Sequence, residues 1–265
     1  MRPISWVLAG VTLVAFIAMY LPVLVVALLS FFWVRRGVVQ WESFSFDAFA
    51  ALAANADLTG VLTNSILIAA AASLLSVAVA AILALLVASR MPRAVVALVE
   101  FMVFLPFVLP PIVTGLSLLI AFREVGLARG LAAVTVGHVV VVLAVVYSTI
   151  INRLRALSPT LVAASADLGA NGWQTFRFVV LPQMSSALVA AGVLAFALSL
   201  DETVVTLFLV GDSSTLPIRL YSLMRVGISA EVNALATLVI GFTTVVAIFA
   251  GRALLQHNPH EGNNA

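Results

Sequence analysis

Six apolar runs divide this chain, and each is long enough to cross a bilayer. They are Ile4–Val34, Leu62–Ser89, Val95–Phe122, Leu131–Ile151, Gln183–Val210 and Val232–Leu254. A hydrocarbon core takes about 20 residues of helix to span. Inside it every backbone group must find a partner within the protein, which admits helices and closed barrels only. Continuous apolar runs of this length predict helices. The expected fold is therefore all-α: a polytopic membrane protein with about six transmembrane helices, forming one domain over residues 1–265. Charged residues are 9% of the chain, against about 25% in soluble domains, so lipid must solvate much of the surface. The first run exceeds the roughly 7–15 apolar residues of a cleavable signal and is expected to stay as a first helix.

The charged residues exclude several functions. All thirteen basic residues are arginine. A phosphate-binding loop needs its lysine, so nucleotide hydrolysis is expected in a partner rather than here, and no cofactor is implied. A net charge of +2 gives no argument for nucleic acid. No cysteine is present, which removes disulfides and thiolate metal sites. No cluster of the H-E-x-x-H kind appears, so no catalytic residue or metal site is expected. His138, alone in the fourth run, reads as a hydrogen-bonding partner of a neighbouring helix rather than a ligand.

Breaks within the runs are the next signal. Pro106, Pro110 and Pro111, followed by Gly115, interrupt the third run. Each proline removes a helix donor, giving either a kink at a helix contact or a broken helix lining a pathway. Arg35-Arg36 closes the first run, and Arg90-Met91-Pro92-Arg93 the second. The stretch Gly37–Gly60 scatters Trp41, Phe44, Phe46 and Phe49 among Glu42, Asp47 and Asp57. It fits an interfacial helix or a packed loop. A polar tail, Gln256–Ala265, closes the sequence.

The acids deep within an apolar run are Asp201 and Glu202. An intramembrane carboxylate costs about 2.5–3.5 kcal/mol on insertion scales and requires a partner or a wet cavity. At about 1.5 Å per residue, Asp201 lies roughly 28 Å along a helix from Pro182. The two acids are either an attractor for a cationic solute or ion-paired, for example with Arg219, Arg225 or a partner chain. The segment Gly211–Val232 is either a contact surface for a solute-binding protein or an ordinary packed loop.

The longest polar break, Asn152–Pro182, is the most informative. Ser158-Pro159 is a helix start. Ala163, Ala164, Ala166, Leu168 and Ala170 favour helix. Gly169 and Gly172 suit a C-cap, Trp173, Phe176 and Phe178 read as interfacial anchors, and Pro182 opens the fifth span. On physical grounds this is a membrane-surface helix or a docking helix.

The segment resembles the cytoplasmic loop of binding-protein-dependent ATP-binding-cassette permeases: E-A-A, three residues, G, nine residues, I-x-L-P. Ala163-Ala164-Ser165, Gly169, Val179, Leu181 and Pro182 occupy the matching positions. Ala163 stands where the family has glutamate, and Ser165 where it has the second alanine. The resemblance implies a coupling loop built on Ala163, Ala164, Ser165, Asp167, Leu168, Gly169, Ala170, Gly172, Leu181 and Pro182. From Asn64 to Leu238 the chain resembles the spermidine/putrescine branch, on Leu198–Glu202, Leu216–Ser222, Glu231–Thr237, Leu105-Pro106 and Pro110. That implies an inner-membrane type I permease with a pathway near Asp201, Glu202, Pro106 and Pro110. The implied partners are a second permease subunit, a cytoplasmic ATPase dimer and a periplasmic solute-binding protein, besides the lipid bilayer. Related permeases for iron, opines or amino-acid-like solutes share much of this pattern.

Orientation follows from the resemblance rather than from charge. With both termini inside, seven arginines fall on the inner side (Arg2, Arg90, Arg93, Arg153, Arg155, Arg177, Arg252) and six outside. That is nearly no positive-inside bias. A cytoplasmic coupling loop places both termini in the cytoplasm. A self-sufficient secondary transporter would use Asp201 or Glu202 as a proton site. It would also be expected to show paired interrupted helices in two repeated halves, and no internal repeat is found.

Overall fold

A computed structural model describes residues 2–35, 38–89, 91–226 and 230–256. Arg36, Gly37, Arg90 and the polar tail beyond Gln256 lie outside the described residues. The order is α1 (Arg2–Leu29), β1 (Trp33–Arg35), β2 (Val38–Gln40), α2 (Asp47–Ala54), α3 (Ala56–Ala88), α4 (Arg93–Val108), α5 (Pro111–Glu124), α6 (Leu131–Arg155), α7 (Pro159–Asp167), α8 (Gly172–Thr175), a π-helical turn (Phe176–Val180), α9 (Leu181–Asp201), α10 (Val204–Leu209), α11 (Leu216–Val226) and α12 (Ala230–Gln256). Among the described residues four helices are long and apolar enough to cross a membrane: Val7–Leu29, Asp57–Ala88, Leu131–Arg155 and Gly172–Asp201. The pair α4 and α5 is a broken span or re-entrant element bent by 113°, and Ala230–Val245 is a shorter apolar helix.

The chain divides into two compact units. The first comprises residues 1–60 and 219–244. Its first run ends as helix at Leu29 and continues into a small antiparallel hairpin, with Val34 opposite Val39. The polar stretch that follows is part strand and part helix. Phe31 stacks on Phe44 and meets Phe46 and Phe49 within 5.2–5.7 Å. None of the window Val7–Leu29 in α1 is buried within the chain, so lipid or another membrane protein must cover it.

The second unit, residues 61–218 and 245–265, holds the core. Ala80 and Ala84 of α3, Tyr147 and Ile150 of α6, and Ala191 and Ala195 of α9 are fully buried together. Alanine faces let helix backbones approach closely where no hydrophobic effect drives them together. The hydroxyl of Ser73 on α3 donates to the Gly192 carbonyl on α9 at 2.6 Å.

Glycine does the same for the short helix α10. A Cβ on Gly115 of α5 would lie 2.6 Å from Phe208 Cδ2 and 3.3 Å from Val205 Cα. One on Gly137 of α6 would lie 2.5 Å from Leu209 Cδ1. Gly115→Ala must shift the α10 backbone as well as a ring, and overpacking of this kind costs about 1–3 kcal/mol. We expect a lower thermal midpoint for the detergent-solubilised G115A protein. An unchanged midpoint would mean that α10 does not nest here.

Candidate functional site

The two breaks that matter lie in the second unit and have different causes. The first is made by proline. Leu109 and Pro110 each precede a proline, which disfavours helical backbone, and both are extended, with ψ of 145° and 135°. The Pro106 carbonyl would normally accept from residue 110, which has no N–H. Thr114 Oγ1 donates to it instead, at 3.2 Å across the break. The helix is broken here rather than kinked, with Leu109 and Pro110 outside both α4 and α5.

The second break has neither proline nor glycine. α9 ends at Asp201, Glu202 is extended with ψ of 100°, and α10 starts at Val204. The expected fifth span to Val210 is thus interrupted. Side chains satisfy the exposed backbone groups. Glu202 Oε1 accepts the Val205 N–H at 2.9 Å, the Thr206 hydroxyl donates to the Glu202 carbonyl at 2.5 Å, and the Thr203 hydroxyl to the Asp201 carbonyl at 3.2 Å. The first satisfies a free N–H in the opening turn of α10, as a cap does, and the other two satisfy carbonyls at the break, in a setting where the bilayer offers no partners.

Both breaks open on one cavity of about 240 Å³. Pro106, Leu109 and Thr114 line it from the first break, and Leu198, Asp201 and Glu202 from the second. Pro110 lies between two lining residues, Leu109 and Pro111. Asp201 is exposed and Glu202 half-buried, and neither is ion-paired among the described residues of its own unit. Arg225, one partner proposed from sequence, stacks on Tyr221 at 4.7 Å and donates to its hydroxyl at 2.8 Å.

His138 is fully buried in α6 and bonded on both sides. Nδ1 is 2.7 Å from Ser199 Oγ, and Nε2 is 2.8 Å from Thr206 Oγ1. The ring is thus the hydrogen-bonding partner of neighbouring helices.

The polar loop takes a tight shape. Gly169 has φ of +82°. Its N–H bonds to the Ala166 carbonyl at 2.9 Å, and that of Ala170 to Ser165 at 3.0 Å, the two bonds of a Schellman motif. Gly172 corrects the sequence reading: it is no C-cap but the first residue of α8, where Asn171 and Gln174 form a capping box. Ser165 is buried and its hydroxyl meets that of Thr175 at 2.9 Å, pinning α7 to α8. Ala163, Ala164 and Asp167 are exposed, and Leu168 is 88% exposed, so α7 presents a small, partly apolar face. Trp173 and Phe178 also project outward.

Pro182 stands in the first turn of α9, as the sequence reading has it. The path is helical from Gly172 to Asp201. The π turn ahead of Pro182, in which Leu181 N–H bonds to Phe176 O, widens the backbone so that the proline ring is accommodated.

One acid escaped the sequence reading. Glu100 also lies within an apolar run, in α4. It pairs with Arg155 Nη2 at 3.0 Å, and Tyr147 Oη is 3.5 Å away. Its signal was present, a glutamate between Val99 and Phe101, but its partner sits at the far end of α6.

A family profile described as binding-protein-dependent transport system inner membrane component matches residues 80–258. The chain belongs to that family. The putrescine transport system permease protein PotI of Escherichia coli K12 is 38% identical over 157 residues, 57% of this chain and 56% of that protein. This chain thus aligns with little more than half of that relative. The spermidine/putrescine transport system permease protein PotC of the same organism is 30% identical over 246 residues, covering 92% of both chains. PotC of Haemophilus influenzae is 32% identical over 248 residues, 93% and 95% of the two chains. The fold is shared with a bacterial ABC transporter that imports alginate (TM-score 0.72, 14% identity, 95% and 96% covered). It is also shared with the MetNI methionine ABC transporter (TM-score 0.63, 19% identity, 77% and 99% covered). Family membership makes this a transport permease of all-α, membrane-embedded architecture, consistent with its several apolar helices.

Proposed function

We propose that this chain is the permease subunit of an ATP-binding-cassette importer for polyamines, of the putrescine and spermidine type. One observation carries the mechanism. A single helical path runs from Gly172, in the coupling loop, to Asp201, at the cavity between the breaks. A displacement of the loop by an ATPase would be carried along this path, through the π turn, to the acids, as a two-state gating motion needs. The exposed face of α7, with Ala163, Ala164, Asp167 and Leu168, suits a groove on a cytoplasmic ATPase dimer. Ala163 leaves out one polar contact there, while the Gly169 turn and Leu181-Pro182 keep the shape.

In this reading the whole chain, 1–265, is one transmembrane domain. Its spans lie at about 4–34, 62–89, 95–122, 131–151, 183–210 and 232–254, and the cytoplasmic loop at 152–182. Both termini face the cytoplasm. A second permease completes the pore and a periplasmic solute-binding protein delivers the solute. ATP hydrolysis belongs to the partner, since no lysine is available for a phosphate-binding loop. The names of the PotI and PotC relatives support the solute class, as do two carboxylates lining the cavity that form no ion pair among the described residues of their unit.

The test is uptake of labelled putrescine and spermidine into vesicles carrying the complete complex, with and without ATP. ATP-dependent accumulation of either is expected. An active ATPase with no uptake of either would overturn the polyamine assignment.

A further inference from the structure

We infer that His138 is a positioning residue that sets solute affinity and selectivity, by fixing the break that presents Asp201 and Glu202 to the cavity. The inference rests on the reading that those acids meet the solute.

The break leaves α9 and α10 joined only by Glu202 and Thr203. Within it the backbone is held by local side chains, and nothing in those bonds fixes the angle between the two helices. His138 supplies that restraint from α6. It bonds Ser199 before the break and Thr206 beyond it. All three residues are buried, with 2%, 3% and 0% of their surface exposed, so water does not compete for these bonds.

The direction of the bonds is determined. Thr206 has one hydroxyl proton and gives it to the Glu202 carbonyl. Toward His138 it can only accept, so Nε2 carries a hydrogen. In the neutral ring Nδ1 then accepts from Ser199. The chain of bonds runs from Ser199 through the imidazole and Thr206 to the Glu202 carbonyl. The carboxylate of the same residue caps Val205 and faces the cavity. Rotation of α10 relative to α9 would move that carboxylate, and with it the spacing of negative charge that a flexible polycation must match.

A buried ring with two satisfied bonds is also what simple packing would give, so the test must read solute recognition. We would compare H138F, which keeps the volume and loses both bonds, with H138Q, which keeps a donor toward Thr206. T206V is an isosteric second route should H138F fail to assemble. Each is scored for complex assembly, apparent KM for putrescine and for spermidine, and their uptake ratio, beside D201N and E202Q.

H138F and T206V are each expected to raise apparent KM at least about tenfold, the scale of a single lost buried hydrogen bond where each loses two, and to change the uptake ratio. H138Q should recover part of both. Combining H138F with E202Q should add little to either alone, because both act on one carboxylate. A lowered maximal rate with KM and ratio unchanged would overturn the positioning role. So would effects that simply multiply in the double variant. If D201N and E202Q leave KM unchanged, the reading of the acids falls, and the positioning role with it. Raised KM in those two beside unaltered H138F and T206V overturns the positioning role alone.

Discussion

Gly169→Val is expected to abolish ATP-driven uptake while the chain still inserts and assembles. The reason lies in the backbone alone. A Cβ at Gly169 would meet nothing within 4 Å, so no clash forbids a side chain. The obstacle is φ of +82°, a left-handed conformation that costs an ordinary L-residue about 1–2 kcal/mol and a β-branched one more. That penalty is too small to unfold a membrane-embedded bundle. It is large enough to fray the last turn of a nine-residue helix such as α7, since local openings cost far less than global ones. The Schellman bonds would go, and with them the angle between α7 and α8. Gly169→Asn, which tolerates left-handed backbone, should retain most uptake, and Gly169→Ala should fall between. Uptake, ATPase activity and membrane content of the three variants decide the matter. Full uptake in the valine variant would sink the coupling role of this loop.

What could be read from sequence depended on whether the determining groups are neighbours in the chain. The Pro106–Pro111 break was legible because proline removes donors wherever it stands, and the outcome, Leu109 and Pro110 extended, follows from local sterics. The Gly169 turn was legible for the same reason. The break at Glu202 was not. It contains no glycine or proline, and the run from Gln183 to Val210 is apolar enough to read as one helix. Its signal was the cluster Asp201, Glu202, Thr203 and Thr206, side chains able to cap backbone groups. That reading requires knowing that α10 nests on Gly115 and Gly137, far away in sequence. Glu100 was passed over because Arg155 lies beyond a loop and a whole helix. Gly172 was misassigned because glycine serves both ends of helices. Only the Asn171–Gln174 capping box, a reciprocal pair three residues apart, shows that it begins one. The π turn before Pro182 carries the helical path back from α9 to Gly172, and no residue type in Phe176–Val180 marks it in the sequence.

Replacing Asp201 and Glu202 together with Asn and Gln should raise the apparent KM for polyamines by about 10- to 100-fold, as removing charge from a charged hydrogen bond costs about 1.5–3 kcal/mol. Assembly should be nearly unaffected, and the geometry says why. Glu202 holds the break by accepting from the Val205 N–H, and a glutamine oxygen can still accept that N–H, in a neutral rather than a charge-assisted bond. Its backbone carbonyl still takes the Thr206 hydroxyl, and Asp201 contributes to the break through its carbonyl. The substitution therefore removes charge and leaves the caps. Glu202→Ala removes both and should lower stability by about 1 kcal/mol, the value of a lost cap. Spermidine, with one more ammonium than putrescine, should suffer the larger loss in the Asn/Gln variant. The wild-type preference should weaken with added salt, since charges at an open cavity are screened. If instead the Asn/Gln variant assembles poorly while any complex that forms keeps its original KM, the acids serve the fold. The cationic solute must then be recognised elsewhere along the pathway.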